Sequence, residues 1–454
     1  MKKIVIPSLI AASICLTGCA GIIKKIINGG GSSVPITGEK GSYTVMIYMC
    51  GSDLESGYDG NSTDVNNYGL ASLDISEILS VSGQPEDVNI IIETGGARAW
   101  KNRNISSSKL GRFHVENQKL VKDEELSYES MGKASTFQSF LEWGLSKYPA
   151  EKTGVVLWNH GGAMWGVCYD EKKNDDSLTN SEVNTALKNA FKNTGRKEKL
   201  EWIGYDACLM QVQDIAYKNS EYFNYMIGAQ ESEAGEGWEY NSWIDDVYAG
   251  KDTKTILKAV CDGFIASYDR TYGAQGYAND QTLSYLDLSK VNSYKTAFEN
   301  LAKKISLTVG ATQKSTFQKM MKNVKEYGTA YYEDVTDGGY STNPYDDAYY
   351  GNYGVQYEDG YYVDYGYNYF GTFDVYDFLT KLGNKYSTLS SEITSVRNEL
   401  NQLVVYNKIG GQAGQSHGLC LYFPLHQACQ KAKAYTSTET DFSSWRTVVN
   451  TLGV

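Results

Sequence analysis

Two short stretches of this chain end in side chains that could do covalent chemistry together. Val155-Val-Leu-Trp-Asn159 runs into His160-Gly161-Gly162, and Leu200-Glu-Trp-Ile-Gly-Tyr205 runs into Asp206-Ala207-Cys208. A thiolate is the nucleophile for acyl transfer, but a free cysteine, with a pKa of about 8.5, is mostly thiol at neutral pH. A nearby imidazole can take the thiol proton or protonate a leaving amine. Gly161 has no side chain, so a substrate carbonyl can approach its backbone N–H. That N–H and the N–H of Cys208 would form an oxyanion hole, where one donor is typically worth about 10²–10³ in rate. A helix predicted over Leu209–Lys218 would add its N-terminal dipole in favour of the thiolate. Each residue alone has an inert reading, since cysteines in strand-to-helix turns are usually buried and a histidine before Gly-Gly is commonly a loop residue. The pair is favoured because both residues fall at the ends of predicted strands, 48 residues apart.

The elements before those residues must do the positioning. Near-continuous apolar runs at Tyr43–Cys50, Val88–Thr94, Gly154–Asn159, Trp202–Tyr205 and Tyr225–Ala229 suit strands buried on both faces. Amphipathic helical patterns lie between them, over Val65–Leu79, Thr136–Lys147, Ser181–Lys192 and Leu209–Lys218. Such alternation predicts a mostly parallel sheet with helices on both faces, and ligands in these sheets sit at the carboxyl ends of the strands. From residue 251 the pattern turns helix-rich. Helices are predicted over 253–268, 289–307, 373–383 and 387–404, with strands at Thr282–Leu288 and His417–Pro424.

Other reactive residues are few. Of the four histidines, His417 opens a predicted strand and is expected to pack, while His114 and His426 read as surface or helix-edge residues. Cys168, on the loop after His160, is the main rival nucleophile. Cys50 ends a strand with no histidine near it in sequence. Beyond the leader, Cys50, Cys168, Cys208, Cys261, Cys420 and Cys429 show no dense disulfide framework. No CxxC occurs, which argues against structural zinc, so no metal site is expected. The balance of 42 basic against 54 acidic residues, net −12, argues against a nucleic-acid partner, which needs a Lys/Arg surplus. With 41% hydrophobic residues the chain has material for a full core and is not broadly disordered.

The ends and one internal segment stand apart. Lys2 and Lys3 precede an apolar Ile4–Leu16 that is too short for a permanent membrane span. Leu16-Thr-Gly-Cys19 then resembles the lipobox of a bacterial lipoprotein signal, which implies cleavage after residue 18 and lipidation of Cys19. An ordinary secretory signal cleaved nearby is the alternative. Residues 19–42 read as a tether. Ala20 in place of Asp gives no inner-membrane retention signal, so a two-membrane bacterium would carry the protein on its outer membrane. Residues 331–371 contain 13 Tyr and 8 acidic residues, and no Lys or Arg occurs from 326 to 380. This segment has three readings: a surface insertion, a contact platform for protein or carbohydrate, or a source of carboxylates for calcium, though no EF-hand pattern is present.

Cysteine peptidases of the caspase type separate His and Cys by about 50 residues and carry a local Gln-Ala-Cys; here the local sequence is Asp-Ala-Cys. The chain resembles the clostripain family of cysteine peptidases, related in fold to caspases, legumains and gingipains. The resemblance rests on Tyr48-Met-Cys-Gly-Ser-Asp-Leu-Glu55, Val155–Gly162, Ile203–Met210 and Ala229–Tyr240, and more weakly on Phe373–Leu379 and His417–Pro424. It implies a caspase-like α/β/α sandwich with a mostly parallel central sheet and a C-terminal α-rich elaboration. It implies His160 and Cys208 as the dyad, and cleavage after Arg or Lys. Cys50-Gly-Ser52 departs from the commoner small-residue-Gly-Asp, and 331–371 looks like an insertion that could alter access to the cleft. In a caspase-like arrangement Asp206 would line the pocket for the residue before the scissile bond, where a carboxylate favours a cation and repels an acid. Its other reading is a helix N-cap. The resemblance also implies self-cleavage for activation, expected after Lys172 or Lys173, with Arg196–Lys199 as the second candidate. Nothing here requires a cofactor, with calcium an additional reading because some relatives depend on it. The expected organisation is signal 1–18, tether 19–42, catalytic core 43–250, α-rich extension 251–330, insertion 331–371, and a C-terminal helical region with a closing strand at 372–454. The competing reading is a catalytically silent surface lipoprotein that binds protein or glycan through its Tyr-rich segment.

Overall fold

A computed structural model describes residues 33–57, 69–328, 370–425 and 435–453, with the short strands 356–358 and 361–363. The centre is a nine-stranded sheet. In chain order its strands are β1 (Gly41–Cys50), β2 (Val88–Gly95), β3 (Lys109–Glu116), β4 (Lys119–Ser127), β5 (Ala150–Trp158), β6 (Leu200–Asp206), β7 (Phe223–Gly228), β8 (Thr282–Asp287) and β9 (Val404–Ile409). Across the sheet the order is β9-β8-β7-β6-β5-β1-β2-β3-β4. The five middle strands, β7, β6, β5, β1 and β2, run parallel, and the two strands on either side are antiparallel.

The apolar runs become central strands because both faces are covered. Met46, Tyr48 and Cys50 enter one core, and Val45, Ile47 and Met49 the other. The first core also takes the helices Ala134–Lys147 and Asn180–Thr194, and the second takes Leu70–Ser80, Asn241–Tyr248 and Thr253–Thr271. The Asn180–Thr194 helix is fixed at its start by a capping box between Thr179 and Glu182 and closed by Gly195 at φ +70°, where glycine avoids the strain of a left-handed residue. The sandwich is the α/β architecture expected.

Several elements differ from the sequence reading. The hairpin of β3 and β4 was not foreseen, because β4 is a partly exposed, highly charged edge strand and the buried run of β3 is broken by Arg112 and His114. His114 therefore lies on a strand, with Nδ1 facing Asp123 at 3.2 Å, rather than at a free surface or helix edge. The helix expected from Leu209 starts at Gln213, because Leu209 is in the left-handed region at φ +66°, which no helix accommodates. The helix expected over 65–79 is Leu70–Ser80; residues 65–68 lie outside the described residues. Beyond residue 250 the chain is helix-rich, yet β8 and β9 return to the central sheet and the helices Val291–Thr308, Val375–Lys385, Ser390–Leu403 and Ser443–Leu452 share the first core. The closing strand, Cys420–Tyr422, belongs to a small sheet with Glu326–Tyr327 and Thr372–Asp374. The far end of the expected tether is docked: Val34 N–H donates to Asn193 O at 2.7 Å, Thr37 N–H to Ser146 O at 2.9 Å, and residues 41–42 already belong to β1.

Candidate active site

β5 and β6 lie side by side with Trp158 opposite Asp206, and Asn159 N–H donates to Asp206 O at 3.3 Å. Two residues beyond that pair, each chain presents its reactive side chain, His160 on one and Cys208 on the other. The loop after His160 folds back at once: Cys168 N–H donates to His160 O at 3.2 Å, and Gly162 N–H to Gly166 O at 2.9 Å. The loop after Cys208 turns through the left-handed Leu209, whose N–H reaches Glu231 O at 3.2 Å. The two loops touch at Gly161. A Cβ there would fall far inside contact distance of the Cys208 carbonyl oxygen, so glycine is required at this position. Neither the Gly161 nor the Cys208 N–H donates to a backbone carbonyl of the described residues.

His160, Asp206 and Cys208 line one narrow pocket, closed on its far side by Glu233, Ala234 and Gly235. The enclosed space is about 20 Å³, room for about one water.

The imidazole has a partner that the sequence reading did not assign. His160 Nε2 lies 2.8 Å from Asp53 Oδ1, and Asp53 sits on the short helix Ser52–Ser56 that follows β1. Burial alone would raise the Asp53 carboxyl. The His160 hydrogen bond and charge outweigh it and hold the group below its usual range. An ionised Asp53 keeps the proton on Nε2 and makes Nδ1 the basic nitrogen. The loop whose Cys50-Gly-Ser52 departs from the family pattern is therefore the one that orients the histidine. The signal available in sequence was the Asp53 of the matched Tyr48–Glu55 stretch, but nothing in its spacing tied it to a residue 107 positions away.

Cys208 is half-buried, with its sulfur against the backbone of residue 233: Glu233 N–H donates to Sγ at 3.2 Å. Burial, followed by the Glu233 carboxylate, pushes the thiol up to about 12. The expected help from a helix dipole is absent, because the helix begins at Gln213 and the dipole acts only within about the first turn. The rival Cys168 is fully buried, and burial pushes its thiol far up. Cys50, Cys261 and Cys420 are equally enclosed, and the five described cysteines are all free. Cys429 and His426 lie outside the described residues. His417 packs as expected, stacked on Tyr376 at 4.6 Å with Nδ1 3.0 Å from Asp374.

Asp206 is not a helix cap, since the cap position of the following helix is Val212. It is 4% exposed. Its Oδ1 accepts the Trp238 N–H at 3.1 Å and its Oδ2 the Tyr240 hydroxyl at 2.9 Å. Gly237, at φ +62°, comes so close that a Cβ would lie 2.6 Å from Oδ1. Burial pushes the Asp206 carboxyl up to about 7, and Glu233 beside it is pushed up by burial and by the charge of Asp206.

The remaining expected positions fall on the periphery or beyond the described residues. Lys172 and Lys173 occupy a 3₁₀ turn on the loop after His160. Lys172 is tethered, with Nζ 3.6 Å from the Tyr128 ring centroid and bonded to Ser107 O, whereas Lys173 is exposed. Cys19 and residues 1–18 lie outside the described residues. No described helix is long and apolar enough to cross a membrane, and no described cluster of His, Cys, Asp and Glu could hold a metal ion. Most of 331–371 is likewise outside them, but its stems are placed. Phe370 lies near Gly162 and Gly328, and Leu209 near Gly328, so the described residues flanking the insertion meet beside the loops that follow His160 and Cys208.

A family model described as the clostripain family matches residues 59–447. Clostripain from Hathewaya histolytica is 24% identical over 397 residues, covering 77% of this chain and 68% of that one. Two solved structures share the fold at 16% identity and a TM-score of 0.59. One is a secreted C11 cysteine protease from Bacteroides thetaiotaomicron, aligned over 90% of this chain and 99% of its own. The other is an inactive zymogen C11 protease from Parabacteroides distasonis, aligned over 90% and 98%.

Proposed function

The chain belongs to the clostripain family of cysteine peptidases, and we propose that it is an endopeptidase that cuts after Arg or Lys with Cys208 as nucleophile. One observation carries this reading: His160, Cys208 and Asp206 line the same pocket at the ends of two paired parallel strands.

Sγ of Cys208 attacks the scissile carbonyl carbon while its proton passes to His160 Nδ1. Asp53 stabilises the imidazolium through Nε2. The carbonyl oxygen, now an oxyanion, takes the Gly161 and Cys208 N–H groups. Collapse of the tetrahedral adduct breaks the C–N bond, and the departing amine takes the proton from His160. A water, deprotonated by His160, then hydrolyses the thioester and returns the thiol. Asp206 supplies negative charge to the pocket for the preceding side chain. No step calls for a cofactor.

The raised thiol and the narrow pocket support the reading of a resting form. Activation by self-cleavage after Lys173 or Lys172 would free the loop that follows His160, and a related structure is that of an inactive zymogen. Lys173 is the better substrate of the two because it is exposed, whereas Lys172 is bonded to Ser107 O and lies closer to the Tyr128 ring. Replacing both lysines by alanine is expected to leave one uncut chain on a denaturing gel. Two fragments of unchanged size would move the cut elsewhere, with Arg196–Lys199 next. Through a lipid at Cys19 the enzyme would act from the cell surface, on the outer membrane where there are two, upon protein or peptide substrates. Mass spectrometry of the mature N-terminus tests that placement.

The deciding experiment is hydrolysis of fluorogenic peptides ending in Arg or in Asp by protein lacking residues 1–19. Wild type, Cys208→Ala, Cys168→Ala and Asp206→Asn are compared. The Arg peptide alone should be cut, with Cys208→Ala inactive, Cys168→Ala active and Asp206→Asn weakened. No cleavage of either peptide after deliberate nicking near Lys173 would favour the silent binding scaffold.

A further inference from the structure

The pocket contains a second carboxyl group, set against Asp206. Glu233 lies on the segment 231–237 that crosses in front of Cys208, and its side chain turns into the pocket next to Asp206. Both of its carboxylate oxygens are shielded from water with no hydrogen bond of ordinary geometry, and the side chain lies against Asp206, Trp238 and the Ala207 backbone. Asp206 differs: its two oxygens are already engaged by the Trp238 N–H and the Tyr240 hydroxyl. Two carboxyls buried side by side cannot both ionise unaided, and each is pushed up, so a cation entering between them would be met by both. The backbone of the same residue holds the nucleophile, with its N–H 3.2 Å from Sγ and its carbonyl oxygen 3.8 Å away.

The segment is fixed on both sides of Glu233. Gln230 and Glu231 N–H groups donate to Thr282 Oγ1, Ala234 N–H to Gln281 Oε1, and Gly237 N–H to Ala234 O. Rotation of the Glu233 side chain is then the smallest motion that enlarges a space of about 20 Å³ to admit a substrate side chain. A planar guanidinium with five donors can meet two carboxylates at once, whereas an ammonium is a point charge.

We propose that Glu233 is a specificity-determining residue that fills the pocket in the empty enzyme and, on substrate entry, turns to share an arginine guanidinium with Asp206. This deepens the reading of the pocket given above and rests on it. Arginine is preferred to lysine.

The test compares wild type, Glu233→Gln, Glu233→Asp and Asp206→Asn on peptides that differ only in Arg, Lys or citrulline before the scissile bond. Agmatine serves as a guanidinium competitor. Glu233→Gln should lose about 10- to 100-fold in kcat/KM on the Arg peptide, mainly through KM, as expected for one charge-assisted hydrogen bond. Its Arg-to-Lys ratio should fall towards one, and agmatine should weaken by a similar factor. Glu233→Asp should recover part of both, and it carries the comparison if the Gln variant does not fold. An unchanged Arg-to-Lys ratio and agmatine affinity in Glu233→Gln would overturn the proposal, as would an equal loss of kcat on both peptides. Cleavage of an Asp peptide by wild type, or activity in Cys208→Ala, would instead remove the reading on which it rests.

Discussion

The contact between His160 Nε2 and Asp53 Oδ1 at 2.8 Å fixes which ring nitrogen can act as the base. Asn at position 53 would keep the shape but could either donate or accept, so the ring would no longer be held in one tautomer. General acid–base catalysis is worth about 10²–10⁴ in rate, and part of that depends on the orienting group. Asp53→Asn is therefore expected to lower kcat by about 10- to 100-fold with KM little changed. Steady-state kinetics on the Arg peptide checks it, together with the pH profile of iodoacetamide alkylation at Cys208. A change in KM alone, with the alkylation profile unmoved, would make Asp53 a structural residue. His160, Cys208 and Asp206 could be found in sequence because each ends a recognisable strand. Asp53 and Glu233 could not, because their roles depend on proximity created by the fold, one across 107 residues and the other across 25.

The loops that carry His160 and Cys208 form one element because Gly161 lets them meet. Its absent Cβ is the space taken by the Cys208 carbonyl oxygen, with Met210 Cγ 3.0 Å and Ala207 Cβ 3.1 Å from the same point. Gly161→Ala would push the loops apart at the proposed oxyanion site and press on Met210 and Ala207 at the edge of the first core. It should reduce kcat/KM by at least about 100-fold, the typical worth of one oxyanion donor, with a near-native circular dichroism spectrum. Activity within a factor of a few of wild type would mean that the loops have slack there. At this scale the sequence was uneven as a guide. The parallel strands were readable because burial on both faces makes them continuous apolar runs. The β3–β4 hairpin was not, because an edge strand such as Lys119–Ser127 is partly exposed and its pattern is dominated by charge. The helix start after Cys208 was misplaced because the Leu-Met-Gln-Val run is apolar enough for a helix, while the left-handed Leu209 depends on the strap at Glu231.

Across the whole molecule, buried carboxyls set the direction of the pH response. Burial pushes Glu93, Asp206, Asp214 and Glu326 each up to about 7, even though Arg112 partly offsets it for Glu93 and Thr440 and Tyr435 do so for Asp214. In the unfolded chain such groups lose their protons at about pH 4. Between about pH 4 and 7 the native state therefore holds more protons than the unfolded state, and stability falls as pH rises. The net charge of −12 at pH 7 acts in the same direction through self-repulsion. Asp53 and Asp123 have lowered values and oppose this trend only in more acid solution, where their native contacts are lost. The melting temperature is therefore expected to be higher at pH 5 than at pH 7.5, by roughly 2–5 °C on the usual scaling for a chain of this size. Asp214→Asn, remote from the catalytic pocket and bonded to Thr440 and Tyr435, should flatten part of that slope. Calorimetry of the Cys208→Ala variant, which would remove the proposed self-cleavage, gives the comparison. A melting temperature that rises from pH 5 to 7.5 would mean that these carboxyls are charged in the folded protein, each compensated by a partner or by water reaching the core.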